Sequence, residues 1–250
     1  MYKIINLTPE KNASRSIGDY INEILNTNVN YIDSYGLLTE TEWLDFDNVV
    51  NESIVFMFVR NPYDRLVSSF IHTTISLDHL DHTGSSRSSF GKPEWYFDLP
   101  INKENQLKCF RNFCLIFAKK GINVDIKNMI YMNEHVKLQT KVIDDTVKMI
   151  GSTSGKSTGK FDNFSIIPYI ENEKIFIGKV ESVRSDIERL VSLMDDNMVN
   201  ENAETKLLEH IGNNSEIKFS NDYKDWYDTE LYDLMTPIFK KELEIFDYEF

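Results

Sequence analysis

The sequence has few cysteines and no long apolar run. Its 250 residues include two cysteines, Cys109 and Cys114, which lie five positions apart in a predicted helix and so point in different directions. We expect them to be reduced core thiols, and no Cys/His spacing matches a zinc site. No run of about 18 apolar residues predicts a membrane-spanning helix. Because the apolar start, MYKIINL, is too short for a signal peptide, we expect a cytoplasmic protein.

Basic residues are also in deficit. The chain has 27 Lys and Arg residues against 40 Asp and Glu residues, which gives a net charge of −13. Such a chain repels nucleic acid and anionic membranes, so neither is an expected partner. A small anionic ligand can still bind where a few basic groups converge in one cleft. The hydrophobic content of 41% is typical of a globular fold, and the length fits a single domain, residues 1–250.

Apolar patterning predicts alternating strands and helices. Residues 2–7 are predicted to form a short buried strand, and the run Ile54–Val59 (IVFMFV) a strand buried on both faces of a parallel sheet. Helical periodicity follows each of them, over residues 16–25 and 63–75. Further helices are predicted over 103–119, 142–150, 184–194 and 223–243, and further strands over 129–132 and 174–180. The predicted fold class is α/β, with a central, mostly parallel sheet flanked by helices in three layers.

Two stretches are predicted to be loops. Residues 76–100 are rich in His, Ser, Gly and Pro and have the length of a lid or binding loop. Residues 151–160 (GSTSGKSTGK) form a flexible, low-complexity loop. This loop contains Gly-Lys-Ser-Thr, but three residues instead of four separate Gly151 from Gly155 and no apolar strand precedes it. It is therefore not predicted to be a nucleotide P-loop.

A polar loop between the first strand and the first helix has the composition of a phosphate site. A strand–loop–helix turn directs several backbone N–H groups at one point, and the helix dipole favours an anion there. The small side chain of Ala13 lets the backbone approach a ligand, and Lys11 places a mobile cation at the loop mouth. An ordinary helix N-cap has a similar composition, so both interpretations stay open for this loop alone. The candidate residues are Lys11, Asn12, Ala13, Ser14, Arg15 and Ser16.

A second candidate site follows the strand Ile54–Val59. Arg60 comes directly after it, at the carboxyl edge where open α/β sheets bind ligands. The planar guanidinium suits a phosphate, and Ser68, two turns into the next helix, offers a hydroxyl from the same side. The alternative is that Arg60 forms an ion pair with a nearby carboxylate and that Ser68 faces solvent. We expect Arg65 and Asp64 to form a local surface pair.

Together the two segments resemble the PAPS-dependent sulfotransferases, and most closely the carbohydrate sulfotransferases of the Golgi type and their bacterial and viral relatives. In that family a loop like PEKNASRSI (residues 9–17) holds the 5′-phosphosulfate of 3′-phosphoadenosine 5′-phosphosulfate (PAPS). A segment like FVRNPYDRLVSSF (residues 58–70) holds the 3′-phosphate through its Arg and Ser, here Arg60 and Ser68. Further segments resemble the family in the same order, at residues 133–139, 177–181, 210–215 and 226–250.

The resemblance implies a P-loop-like fold and transfer of a sulfo group from PAPS to a hydroxyl, with a glycan as acceptor and no metal. Residues 76–100 would then be an acceptor-side loop, and their aromatic residues 95–97 would either stack on a sugar or anchor the loop. Backbone groups of residues 12–16 would hold the 5′-phosphate, and Lys11 would stabilise the bridging oxygen of the leaving nucleotide. His135 is the first candidate for the general base, because it lies in a family-like segment; His72 and Glu134 are the alternatives.

Two single positions depart from the family's pattern, and two other functions stay open. Glu10 stands as an insertion before Lys11, and Asp247 replaces the glycine of the family's closing Phe-Gly-Tyr. A P-loop-type small-molecule kinase would need a Walker A loop and an acidic Mg²⁺ ligand after a strand, and we find neither combination. A non-catalytic nucleotide-binding protein with the same fold is the other alternative.

Overall fold

The structure is a computed structural model, and it describes residues 2–9, 12–33, 38–71, 103–120, 137–150, 152–153, 156–157, 159–200, 220 and 222–250. Its chain divides into two compact units. We call Met1–Arg60 with Gln139–Asn213 the sheet unit, and Asn61–Leu138 with Asn214–Phe250 the helical unit. The predicted loop 76–100 and the predicted strand 129–132 lie outside the described residues.

The elements alternate between helix and strand for most of the chain. In chain order they are β1 (Tyr2–Asn6), α1 (Ser14–Ile24), β2 (Val29–Asp33), α2 (Glu40–Leu44), α3 (Phe46–Glu52), β3 (Ile54–Val59), α4 (residues 62–71), α5 (Lys103–Lys120), α6 (Gln139–Ile150), β4 (Ser152–Thr153), β5 (Lys156–Ser157), α7 (Ile167–Glu171), β6 (Phe176–Lys179), α8 (Val183–Val191) and α9 (Thr229–Phe246). Short 3-10 turns occur at Val180–Ser182, Asp196–Met198 and Tyr223–Trp226.

The sheet unit is built on four parallel strands in the order β2-β1-β3-β6. Of the two central strands, β3 carries a continuous apolar run and is buried from Val55 to Val59, and β1 buries Ile4 and Ile5. Ile4 and Phe56 face the same side of the sheet, where Ile17 of α1 and Leu190 of α8 pack against them. A parallel sheet flanked by helices confirms the predicted P-loop-like α/β class.

One glycine of β6 is required by close packing. Gly178 pairs with Phe58 across the β3–β6 ladder. A Cβ atom on Gly178 would lie 2.5 Å from Cε1 of the Phe58 ring, which is closer than real Cβ contacts allow. Because Phe58 is fully buried, its ring has little room to move away. The glycine in the family-like segment 177–181 is therefore a packing requirement of this sheet.

The helical unit is held together by an aromatic core contributed by α4, α5 and α9. Tyr63 lies at its centre: its ring is 5.1 Å from Phe239 and 5.2 Å from Tyr227, both edge-to-face. Phe70 and Phe110 extend the cluster, with ring centroids 5.3 Å apart. Edge-to-face pairs of this kind add about 0.5–1.5 kcal/mol each to the free energy of burial. Burial raises the pKa of the Tyr227 hydroxyl well above its usual value, so this hydroxyl stays neutral.

Two sequence predictions are wrong in the helical unit. In place of the single helix predicted over 223–243, the chain forms a 3-10 turn, Tyr223–Trp226, and then α9. Asp228 caps the start of α9, because its side chain accepts a hydrogen bond from the Leu231 N–H (2.8 Å). Arg65 is not on the surface, since only 4% of it is exposed. Its guanidinium donates to the carbonyl of Lys137 over 2.6 Å, so Arg65 supports the interior of this unit.

Candidate active site

The carboxyl end of β3 keeps its hydrogen bonds after β1 has ended. Alternate residues of a strand direct both N–H and C=O to the same neighbour. At Phe56 that neighbour is still the β1 segment, because the Leu7 N–H donates to the Phe56 carbonyl (2.8 Å). At Phe58 side chains take over: the Phe58 N–H donates to Thr8 Oγ1 (3.0 Å), and Asn12 Nδ2 donates to the Phe58 carbonyl (3.0 Å). Side chains thus replace the missing strand.

Gln139 continues this replacement at Arg60, the next residue that faces the same way. The Arg60 N–H donates to Gln139 Oε1 (2.9 Å), and Gln139 Nε2 donates back to the Arg60 carbonyl (3.1 Å). The side-chain amide therefore pairs with Arg60 as a backbone peptide group would. Asn12 Nδ2 also donates to Gln139 Oε1 (2.6 Å), and the Asn12 and Gln139 side chains are both fully buried. The start of α1 and the end of β3 are thereby joined through one glutamine.

Ala13 gives the loop before α1 its shape. Its backbone is left-handed (φ 56°, ψ 26°), and the helical residue Ser14 follows it. A left-handed residue followed by helical ones turns successive N–H groups toward a common point, which makes an anion-binding concavity. The N–H groups of the first turn cannot bond within the helix, and Ala13 has no side-chain oxygen to cap them. The first turn also contains no acidic residue, so the helix dipole favours an anion there.

One polar atom of this loop, Oδ1 of Asn12, is buried and has no hydrogen-bond partner among the described residues. The orientation of the amide is fixed by its other end, because Nδ2 faces two acceptors, the Phe58 carbonyl and Gln139 Oε1. A buried acceptor without a donor costs about 1–3 kcal/mol. The loop is therefore not satisfied by its own described atoms, as is common at functional sites.

Asp186 secures the end of the neighbouring strand. The side chain is buried, and Oδ2 accepts from the Lys179 N–H (2.7 Å) and from Ser182 Oγ (2.7 Å), while Oδ1 accepts from Arg189 (2.6 Å). These bonds replace the ladder at the point where β6 turns into α8. The sequence interpretation did not include Asp186, although an acidic residue in the first turn of a helix after a strand is a readable signal.

The described residues account for about half of the predicted site. Asn12, Ala13, Ser14, Ser16 and Arg60 lie in the sheet unit at the loop and strand end just described. Ser68 is a half-buried residue of α4 in the helical unit. Arg15 belongs to α1, and its side chain is not among those described. The candidate cation and the three candidate bases, Lys11, His72, Glu134 and His135, lie outside the described residues.

The sequence matches the model of the Sulfotransferase family over residues 12–249. This match spans almost the whole chain, and the chain belongs to the sulfotransferase family. Its reaction class is the transfer of a sulfo group to an acceptor from a sulfo donor. The resemblance to the PAPS-dependent sulfotransferases is thereby confirmed at the level of the family, and nothing supports the kinase alternative. Among curated proteins and among solved structures, none matches this chain.

Two features are absent from the described ranges. No helix there has the length and apolar character needed to cross a membrane. Within the same ranges, no three His, Cys, Asp or Glu side chains come together in a group that could hold a metal ion.

Proposed function

We propose that the protein transfers the sulfo group of PAPS to a hydroxyl of a carbohydrate. The observation that carries the proposal is the left-handed backbone of Ala13, which starts α1 without a side-chain cap and follows Asn12, whose side chain donates to the Phe58 carbonyl at the end of β3. This turn offers N–H groups and a positive helix dipole in the loop where the family resemblance puts the 5′-phosphosulfate. The carbohydrate acceptor rests on the resemblance to the Golgi-type enzymes.

The 5′-phosphosulfate and the 3′-phosphate of the donor would bind to different groups of the protein. The backbone of residues 12–16 would hold the 5′-phosphosulfate, with hydroxyl donors from Ser14 and Ser16. Arg60 would hold the 3′-phosphate, and the resemblance assigns Ser68 to the same group. A guanidinium binds phosphate through two parallel N–H bonds, which gives direction as well as charge. Recognition of the 3′-phosphate would select PAPS over ATP.

The reaction is an in-line displacement at sulfur. The acceptor oxygen forms a new bond to the sulfur, and the bond from sulfur to the bridging phosphate oxygen breaks. The leaving group is 3′,5′-adenosine bisphosphate, and the acceptor hydroxyl loses its proton to a base. We propose His135 as that base, with His72 and Glu134 as alternatives. Lys11 would neutralise the charge that develops on the bridging oxygen.

Thermal unfolding with three nucleotides tests the donor. A ligand present at 100 times its Kd stabilises the folded state by about 2.7 kcal/mol, which raises the Tm of a chain of this size by roughly 5–10 °C. We expect this rise with 3′,5′-adenosine bisphosphate and a much smaller one with AMP or ATP at the same concentration. Equal rises with ATP and the bisphosphate would show that the 3′-phosphate is not recognised.

Substitutions test the chemical roles. Lys11→Ala should lower kcat about a hundredfold, because loss of one charge-stabilising group costs about 3 kcal/mol in the barrier. Its Tm should match that of the wild type. Full activity of this variant would remove Lys11 from the mechanism. For the base, His135→Ala and His72→Ala are compared at saturating donor, and only the variant that lacks the base should lose turnover.

A further inference from the structure

Arg60 follows the last residue of β3, so the sheet itself does little to hold it in place. The β1–β3 register ends at Phe56, and the β3–β6 register ends at Val59. On the β1 side, the N–H and the C=O of Arg60 both form hydrogen bonds with the side-chain amide of Gln139. Arg60 is thus held between the end of β3 and the buried Asn61, whose side chain accepts from the Tyr63 N–H, and on the β1 side its backbone direction is set by Gln139.

We infer that Gln139 is a positioning residue for recognition of the 3′-phosphate: it holds the Arg60 backbone so that the guanidinium is presented to that phosphate. The inference rests on the proposed function, because that proposal assigns Arg60 to the 3′-phosphate. Gln139 is suited to the role because its amide offers both a donor and an acceptor in one plane, which matches the N–H and C=O of one residue. It needs no charge to do so, and its own side chain is fully buried.

The same amide links the two ends of the donor site. Oε1 of Gln139 accepts from Arg60 and also from Asn12 Nδ2, which lies next to the left-handed Ala13. Asn12 Nδ2 also donates to the Phe58 carbonyl, so the loop keeps a bond to β3 that does not pass through Gln139, whereas the N–H and C=O of Arg60 both bond to Gln139. Gln139 is also the first residue of α6, so its position is fixed by a helix of 12 residues.

A double-mutant cycle separates this role from a purely structural one. The measurement is the Kd of 3′,5′-adenosine bisphosphate for the full chain, at low ionic strength, in four proteins: wild type, Gln139→Met, Arg60→Ala and the double variant. Met has the length of Gln and no hydrogen-bonding amide. Arg60→Ala keeps the backbone N–H and C=O, so Gln139 still pairs with residue 60 but has no guanidinium to direct. The effect of Gln139→Met should therefore depend on whether Arg60 is present.

We expect Gln139→Met to weaken bisphosphate binding about tenfold, or about 1.4 kcal/mol, when Arg60 is present. In the Arg60→Ala background the same substitution should change the Kd less than about twofold. A tenfold loss in both backgrounds would overturn the inference, because Gln139 would then act by some route other than Arg60. An unchanged Kd for Gln139→Met would overturn it as well.

A second Gln139 variant and the wild-type binding result cover the cases in which the first comparison cannot be made. If Gln139→Met fails to fold, Gln139→Asn carries the same cycle, because its neutral amide is one methylene shorter and cannot make both bonds to Arg60, and it adds no charge beside the phosphates. We expect a smaller loss of affinity, again confined to proteins that contain Arg60. If the wild type does not bind the bisphosphate, the proposed function fails and the inference fails with it. Wild-type binding with an unchanged Kd in both Gln139 variants rejects the inference alone.

Discussion

Replacing Ala13 with glycine tests the backbone geometry on which the proposed phosphosulfate site depends. Ala13 has a left-handed backbone with φ 56° and ψ 26°. This conformation costs an ordinary L-residue about 1–2 kcal/mol, because its Cβ crowds the backbone. Glycine has no Cβ and avoids the cost. Glycine also makes the unfolded chain more flexible, which lowers the free energy of unfolding by about 0.4–1 kcal/mol. The two effects leave Ala13→Gly more stable by about 0.5–1 kcal/mol.

Ala118 supplies the matched control. It lies in α5, where the backbone is helical and alanine is the residue that favours helix most. Ala118→Gly should therefore lower the free energy of unfolding by about 1 kcal/mol. The same chemical change thus has opposite signs at the two positions, and the variants should differ by about 1.5–2 kcal/mol.

Denaturant unfolding of the apo protein, followed by circular dichroism, measures both variants against the wild type. The comparison needs no ligand and no activity, so it tests the loop by itself. If Ala13→Gly destabilises the protein as much as Ala118→Gly does, the backbone at residue 13 is not left-handed. The converging N–H groups of the first turn of α1 would then lose their structural basis.

Three other substitutions test separate features of the structure. Burial raises the pKa of the Asp144 carboxyl, so its negative charge opposes folding at neutral pH. This cost disappears as the pH falls, because the carboxyl is then protonated in the folded and the unfolded state. Asp144→Asn should therefore raise the Tm at pH 7 and have the Tm of the wild type below the ordinary pKa of 3.8. Asp247 is left-handed (φ 51°) at the C-terminus of α9, where a carboxylate also opposes the helix dipole, so Asp247→Gly should add about 0.5–1.5 kcal/mol to the free energy of unfolding. Thr8→Val leaves the buried Phe58 N–H without its acceptor and should cost about 1–3 kcal/mol, whereas Thr8→Ser keeps that bond and should lose the methyl packing alone.

The sequence was sufficient for the parts of the fold that bury continuous apolar runs. β3 occupies the predicted residues 54–59, and α5 extends one residue beyond its prediction. β2 was not predicted, because it is an edge strand whose residues are largely half exposed and alternate with polar side chains. α2 was also missed, although Thr39 and Glu42 form a capping box at its start, a pattern that is readable from Thr-Glu-Thr-Glu.

The candidate site shows where reading the sequence stops. The loop 11–16 and Arg60 could be proposed from residue types, because anion sites need basic groups and strand–helix turns. The left-handed backbone of Ala13 could not be predicted, because nothing in alanine favours a positive φ. The pairing of Gln139 with Arg60 joins residues 79 positions apart, and a neutral amide gives no charge signal. The family resemblance included Gln139, four residues after His135, but assigned it no role and said nothing of the backbone that it holds.

The side chains that extend the β3 edge also suit the electrostatics of the chain. With a net charge of −13, the protein repels an anionic donor at long range, so attraction must come from groups close to the phosphates. Thr8, Asn12 and Gln139 hold the loop and Arg60 through neutral hydrogen bonds, which add no negative charge beside the donor. A carboxylate at any of these positions would form similar bonds to N–H groups but would oppose the anion that the site is proposed to bind. Neutral amides and a hydroxyl therefore satisfy the strand end without adding negative charge to the proposed anion site.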